Sequence, residues 1–193
     1  MSDKSSQSSG ILYLVATPIG NLGDLSPRAA QILNSVALIL AEDTRHTRKL
    51  LSAKELSAEL LSYREQNHAR VKTQILQRLE SGQDVALVSD AGTPGISYPG
   101  QALVAAVVER GLRVSPIPGA CAAIAALSAS GLGSDRFLFL GFPPRKPGAF
   151  RQWAEGLSRE PGTLILYESP QRLAKTLGLL AESWGERQAV VAR

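Results

Sequence analysis

The chain has 193 residues, room for one large or two small α/β domains, and its 44% hydrophobic and 20% charged content excludes a disordered or fibrous protein. Lysine and arginine exceed the acids by 21 − 17 = 4, a mild basic bias that permits a polyanionic partner without requiring one. Cys121 is the only cysteine, and His46 and His68 are the only histidines. An intrachain disulfide is therefore impossible, a His/Cys metal cluster is not expected, and the composition suits a reducing cytoplasm.

The polar opening MSDKSSQSSG has no apolar core of the signal-peptide kind and reads as a flexible tail over residues 1–10. Short apolar runs then follow as strand signals: ILYLVA (11–16), VALILAE (36–42), DVALVSD (84–90) and RVSPIPG (113–119). Between them lie helix signals. One starts at Ser26 as N-cap with Pro27 at the first helical position, one runs from Gln66 to Glu80 before Gly82, and one from Tyr98 to Arg110 before Gly111. This order predicts an N-terminal α/β domain over 11–133, with a mainly parallel sheet, helices on both faces and ligands at the carboxyl ends of the strands. The uncharged stretch 114–134 has membrane-like length, but Pro116, Pro118 and Gly119 interrupt it early, Gly131 and Gly133 interrupt it late, and alanine and serine dominate its middle. A buried helix after a turn fits it better than a membrane span, and no membrane partner is expected.

A Gly- and Ser-rich break at Ser130–Ser134 precedes a second group of elements. RFLFLGF (136–142), TLILYES (163–169) and QAVVAR (188–193) predict strands, and Phe150 to Leu157 and Ser169 to Trp184 predict helices, the latter with Ser169 as cap and Pro170 at its first position. Residues 134–193 thus read as the start of a C-terminal α/β domain. Because the sequence stops on a strand signal, that domain is expected to be truncated.

Four turns that follow strand signals are dense in glycine, proline and small polar residues. In ATPIGNLGDLSPRA, Thr17, Pro18, Gly20 and Asn21 would let backbone approach a ligand closely, or simply form a long turn. In SDAGTPGISYPG, Asp90 ends a strand and Gly92 and Gly95 flank Thr93 and Pro94. This is neither a Walker loop nor a G-x-G-x-x-G fingerprint, which weakens a phosphate-binding reading. In PIPGACAAIAAL, small residues open a helix, either to make room for a ligand or to pack tightly. Cys121 has no sequence-linked histidine and reads as a small buried thiol, not a nucleophile.

The fourth turn, AEDTRHTRKLL, puts Glu42, Asp43, Arg45, His46, Arg48 and Lys49 at the end of an apolar strand, as reactive groups or as a solvated helix end. Arg45, Arg48 and Lys49, with Arg145, Lys146 and Arg151 after GFPPRK, form two basic groups able to meet a phosphate backbone. His68 reads as a surface residue of a polar helix. Tyr167 and Glu168 belong either to the cleft or to the cap of the next helix.

Taken together, LVATPIGNLGDLSPRA, AEDTRHTRKLL, ALVSDAGTPGISYPG, PIPGACAAIAALSASGL, SDRFLFLGFPP and LILYESPQRL resemble the tetrapyrrole methylase superfamily, the class III S-adenosylmethionine-dependent methyltransferases. TPIGNLGD stands where the tetrapyrrole-modifying branch has a Gly-x-Gly-Pro-Gly-Asp type loop, and AEDTRHT looks like the rRNA-modifying branch. The resemblance implies two α/β domains with the cofactor folded into the cleft between them, a cytoplasmic homodimer, and 2'-O-methylation of a cytidine in small-subunit ribosomal RNA, either free or in the assembled subunit. It implies cofactor contacts at Pro18, Asp90, Ala91, Gly92, Thr93, Cys121, Ala122 and Tyr167, and no metal. A ribose hydroxyl must lose a proton to attack, which makes Asp43 and His46 the candidate bases, with Arg45 orienting a phosphate or stabilising developing charge. Glu42 and Glu168 stand in reserve. The competing readings are a methyltransferase of a small tetrapyrrole, a corrin or sirohaem precursor, and a truncated, non-catalytic cofactor- or RNA-binding module.

Overall fold

A computed structural model describes residues 8–64, 66–97 and 100–193. The chain divides into two compact units, one ending at Cys121 and one running from Ala122 to Arg193. Helix Ala122–Ala129 thereby goes with the second unit, although the composition break lies after it, at Ser130–Ser134.

The first unit holds β1 (Ile11–Val15), α1 (Pro27–Ser35), β2 (Leu38–Ala41), α2 (Thr44–Ala53), β3 (Leu60–Ser62), α3 (His68–Glu80), β4 (Val85–Val88), α4 (Gly100–Glu109) and β5 (Arg113–Ile117). Its five strands are all parallel, in the order β3-β2-β4-β1-β5. Every residue of β2 and β4 is buried, as expected of strands covered on both faces. The period-2 alternation sorts them: Leu38, Leu40, Val85 and Leu87 pack with α3 and α4 on one face, while Ile39, Ala41, Ala86 and Val88 pack with α1 and α2 on the other.

This sorting positions the site. The helix after β4 covers one face, whereas the helices after its two neighbours, β1 and β2, cover the opposite face. Connections that leave adjacent strands in opposite directions open a crevice at their carboxyl ends, so the end of β4 is flanked by such a crevice on each side.

The second unit holds α5 (Ala122–Ala129), β6 (Phe137–Phe139), α6 (Pro147–Leu157), β7 (Thr163–Ile165) and α7 (Pro170–Trp184). Strands β6 and β7 pair in parallel, and Phe150, Ala154 and Leu180 form a small cluster where α6 packs on α7. The Trp184 indole N–H donates to the Ala154 carbonyl at 2.8 Å.

Several local expectations are corrected. The segment QAVVAR lies outside both sheets, with Val190 and Val191 more than half exposed; alternation alone makes no strand where no partner edge pairs with it. Helix α6 begins at Pro147, whose fixed φ suits a first helical position, and α3 begins at His68. Of the expected tail, residues 1–7 lie outside the described residues, but Gly10 N–H donates to the Leu79 carbonyl at 2.8 Å and the Ser9 carbonyl accepts from Arg113. Tyr98, the expected start of α4, also lies outside the described residues.

Candidate active site

The site is built around the end of β4. Thr17, buried after β1, donates from its Oγ1 to the Ser89 carbonyl at 3.0 Å, and Ser89 Oγ donates to the Gly92 carbonyl at 2.8 Å. Thr17 and Gly92 exchange both backbone hydrogen bonds at 3.0 Å, an isolated antiparallel bridge between the first two loops. Gly92 holds a φ of +86°, which L side chains rarely adopt. The third loop joins through Thr93 Oγ1, which donates to the Ala120 carbonyl at 3.0 Å. There Gly119 approaches β1 so closely that a Cβ would stand 2.8 Å from that of Ala16. Three glycine-bearing loops are thus fixed to one another by largely buried polar contacts.

On the other side of β4, the backbone N–H of Asp43 donates to Asp90 Oδ1 at 3.1 Å. Asp43 is the N-cap of α2: its Oδ1 accepts from the Arg45 N–H at 2.9 Å, and the Arg45 guanidinium clasps both carboxylate oxygens, at 3.1 and 2.7 Å. These bonds from Arg45 hold the Asp43 carboxyl far below the usual carboxylate range. Glu42 moves the opposite way. Burial chiefly, and then the Asp90 and Asp43 charges, raise its pKa against the opposing Arg64, whose Nε donates to the Glu42 carbonyl at 2.7 Å. Glu42 Oε2 and the Tyr63 hydroxyl are buried without a hydrogen-bond partner and line the same small recess under Pro94 and Gly95.

A cavity of about 300 Å³ lies between the β1 loop, α2 and the end of β4. Pro18, His46 and Asp90 line it, so three of the expected residues meet around one space. Gly92 and Thr93 do not line it: Gly92 is bridged to the lining residue Thr17, Thr93 is bonded to the third loop, and Ala91 is exposed on the same loop. Cys121 is half-buried just beyond the third loop, and Ala122 opens α5 in the second unit. Tyr167, also in the second unit, donates its backbone N–H to the Gly141 carbonyl at 2.8 Å and packs edge-on to Phe139 at 4.9 Å between centroids.

Glu168 is structural. Its carboxylate accepts from the Ser169 N–H and from Thr176 Oγ1, each at 2.7 Å, and pairs with Arg172 at 3.3 Å. Ser169 occupies the N-cap position of α7, but its side chain makes no capping bond. His68, expected at the surface, is half-buried with its Nδ1 out of water. The residues missed from sequence are Leu22, Ser89, Thr47, Leu50 and Ala53; the last three needed the extent of α2, because its spacing turns them toward the cavity that His46 and Lys49 also line.

A protein-family profile described as Tetrapyrrole (Corrin/Porphyrin) Methylases matches residues 11–193. The chain belongs to the tetrapyrrole methylase family. It is 54% identical over 185 residues to the ribosomal RNA small subunit methyltransferase I of a Synechocystis strain, covering 95% of this chain and 66% of that protein. To the protein of the same name from Escherichia coli O157:H7 it is 48% identical, covering 95% of this chain and 64% of the relative. The chain therefore spans about two thirds of the length of these curated relatives. Among solved structures, a cobalt precorrin-4 methyltransferase of cobalamin biosynthesis superposes with a TM-score of 0.68 at 17% identity, covering 91% of this chain and 76% of that one, which shows a shared fold. The uroporphyrin-III-C-methyltransferase of Thermus thermophilus shares it too, with a TM-score of 0.62 at 23% identity over 90% of this chain and 72% of that one. Among the described residues no helix is long and apolar enough to cross a membrane.

S-adenosylmethionine is the cofactor expected of this family, and the residues present fit it. The turn at Gly92 puts no side chain at the end of β4, the loops around it are mutually fixed, and Asp90 offers a carboxylate for hydroxyl or ammonium groups.

Proposed function

We propose that this chain carries the cofactor-binding and catalytic part of an S-adenosylmethionine-dependent ribosomal RNA methyltransferase, acting on the 2'-hydroxyl of a cytidine in the small-subunit (16S) RNA. The observation that carries this reading is near-complete coverage of the chain by relatives of that name at 47–55% identity, together with a strand-end cavity that offers a carboxylate, an imidazole and the Lys49 ammonium. The family resemblance supports a cytoplasmic homodimer that meets the RNA free or within the assembled subunit.

The cofactor supplies a methyl group on a positive sulfonium whose charge vanishes on transfer, so a weakly polar surround favours the transition state. Asp90 would hold the cofactor, Pro18 and the loop Ala91, Gly92 and Thr93 would shape its seat, and Cys121, Ala122 and Tyr167 would join them on the resemblance alone. His46 would accept the proton of the 2'-hydroxyl, whose oxygen would take the methyl group that the cofactor supplies. Asp43, held ionised by Arg45, is too weak a base for that task; it fixes the first turn of α2 and with it His46. Arg45, exposed beyond its pair, meets a phosphate of the RNA.

The test is transfer of a labelled methyl group to small ribosomal subunits, followed by alkaline hydrolysis, which 2'-O-methylation blocks. We expect label in a cytidine-containing, alkali-resistant dinucleotide, and a loss of about 100-fold in His46→Ala with cofactor affinity unchanged. Label in uroporphyrinogen III and none in RNA would overturn the reading.

A further inference from the structure

We propose that the cavity between the β1 loop and α2 is a ribonucleotide pocket that receives the acceptor nucleotide of the RNA, base and phosphate together, and holds no part of the cofactor. The inference rests on the methyltransferase reading above and adds to it where the substrate sits.

A volume of about 300 Å³ is at the small end of the range for ligand sites and suits one nucleotide. Pro18 and Leu22 of the β1 loop and Leu50 and Ala53 of α2 line it, so a flat base entering between loop and helix meets aliphatic carbon. His46 and Lys49 supply the polar end. Charge favours the nucleotide of the two nucleosides that could enter. S-adenosylmethionine carries a sulfonium and an ammonium against one carboxylate, so although its carboxylate can meet Lys49 and its ammonium Asp90, its net positive charge is disfavoured beside a helix that also bears Arg45 and Arg48. A nucleotide of RNA brings a phosphate to these cations.

Topology agrees with charge. The cavity is bounded by α2 and by Thr17, Pro18 and Leu22 of the β1 loop, whereas Thr93, which does not line it, is bonded to the β5 loop. Asp90 and Pro18 then stand as the partition between donor and acceptor. Aliphatic walls without an aromatic platform accept an unstacked base by shape, so the pocket requires a single-stranded or extruded nucleotide.

The experiment uses the 193-residue chain with a cytidine-containing single-stranded RNA hexanucleotide, read by fluorescence anisotropy, and S-adenosylmethionine, read by calorimetry. Ala53→Trp fills the cavity from the exposed last residue of α2, and Lys49→Gln removes the cation. We expect Ala53→Trp to weaken RNA binding at least tenfold and leave the cofactor Kd within twofold. Lys49→Gln should weaken RNA binding severalfold and lower its salt slope by about one. Loss of cofactor binding in Ala53→Trp with an unchanged circular dichroism spectrum would assign the cavity to the cofactor. RNA affinity unaltered in both variants, or absent in the parent chain, would also overturn the proposal. A parent chain that binds the RNA but no cofactor would sink the methyltransferase reading instead, with the two variants still deciding whether the cavity holds a nucleotide.

Discussion

The first unit covers both faces of a five-stranded sheet with helices, and its central strands β2 and β4 are wholly buried. The second has a pair of three-residue strands, a cluster of three buried residues, and Phe137 and Phe142 at 40% and 54% exposure. A two-stranded sheet is marginal by itself, so order in the second unit leans on polar anchors: Glu168 at the head of α7, the Trp184 indole on Ala154, and Arg187 bonded to the Glu160 and Gly162 carbonyls. Where an apolar core fixes the strands, the loops at their ends are released for close polar work. The dense hydrogen bonding at Thr17, Ser89 and Gly92 is in that unit.

This contrast can be broken from either side, because both tryptophans, Trp153 and Trp184, lie in the second unit and report on it alone. The largest effect is expected from Leu40→Ala in β2, a fully buried side chain whose loss costs about 3 kcal/mol. It should lower the urea midpoint seen by far-ultraviolet circular dichroism and leave the tryptophan transition in place. Next is Glu168→Ala, which strands the Thr176 hydroxyl and the Arg172 guanidinium and removes a backbone acceptor, for a loss of about 2 kcal/mol. Here the tryptophan transition should move and the N-terminal one should not.

The smallest effects are two of opposite sign within the site. Asp43 is depressed in the folded chain by Arg45, so its stabilisation is complete above the unfolded carboxylate value near 4 and is lost as pH falls from there through the lower folded value. The Tm gap between the parent and Asp43→Asn, which keeps a capping oxygen, should therefore be constant from pH 7 to 5, close below pH 4, and shrink in salt because the pair is exposed. Glu42 is raised by burial, so its charged form opposes folding: Glu42→Gln should raise Tm at pH 7 and lose that advantage in acid, where the parent carboxyl is protonated in both states.

Much of the fold was legible because its signals are local. The runs at 11–16, 36–42 and 84–90 hold β1, β2 and β4, Ser26 caps α1 through Ala29 N–H at 3.1 Å, and the glycine-rich turns fall at the strand ends. What escaped depends on partners elsewhere in the chain. Strand β3 is three residues long and exists by pairing Leu60 with Ile39. QAVVAR has the pattern and no partner. At α7, Ser169 has the right identity for a cap, but its hydroxyl makes no capping bond, and the Arg172 N–H donates to its carbonyl at 3.0 Å.

Within the site, the charges of AEDTRHTRKLL were visible while their division of labour was not. Thr44 to Lys49 shows no apolar stripe, so the sequence left this turn open between reactive groups and a solvated helix end; the structure makes Asp43 the cap of α2. Glu42, one residue earlier, is the carboxyl that burial chiefly perturbs upward, helped by the charge of Asp90 from another part of the chain.

The most direct measurement is calorimetric titration of this chain with S-adenosylmethionine, repeated with Asp90→Ala. We expect saturable one-to-one binding that falls at least tenfold in the variant while its circular dichroism is unchanged. A folded parent chain that takes up no S-adenosylmethionine, or one that binds it equally well without the Asp90 carboxylate, would contradict the assignment of the β4 end as the methyl-donor site.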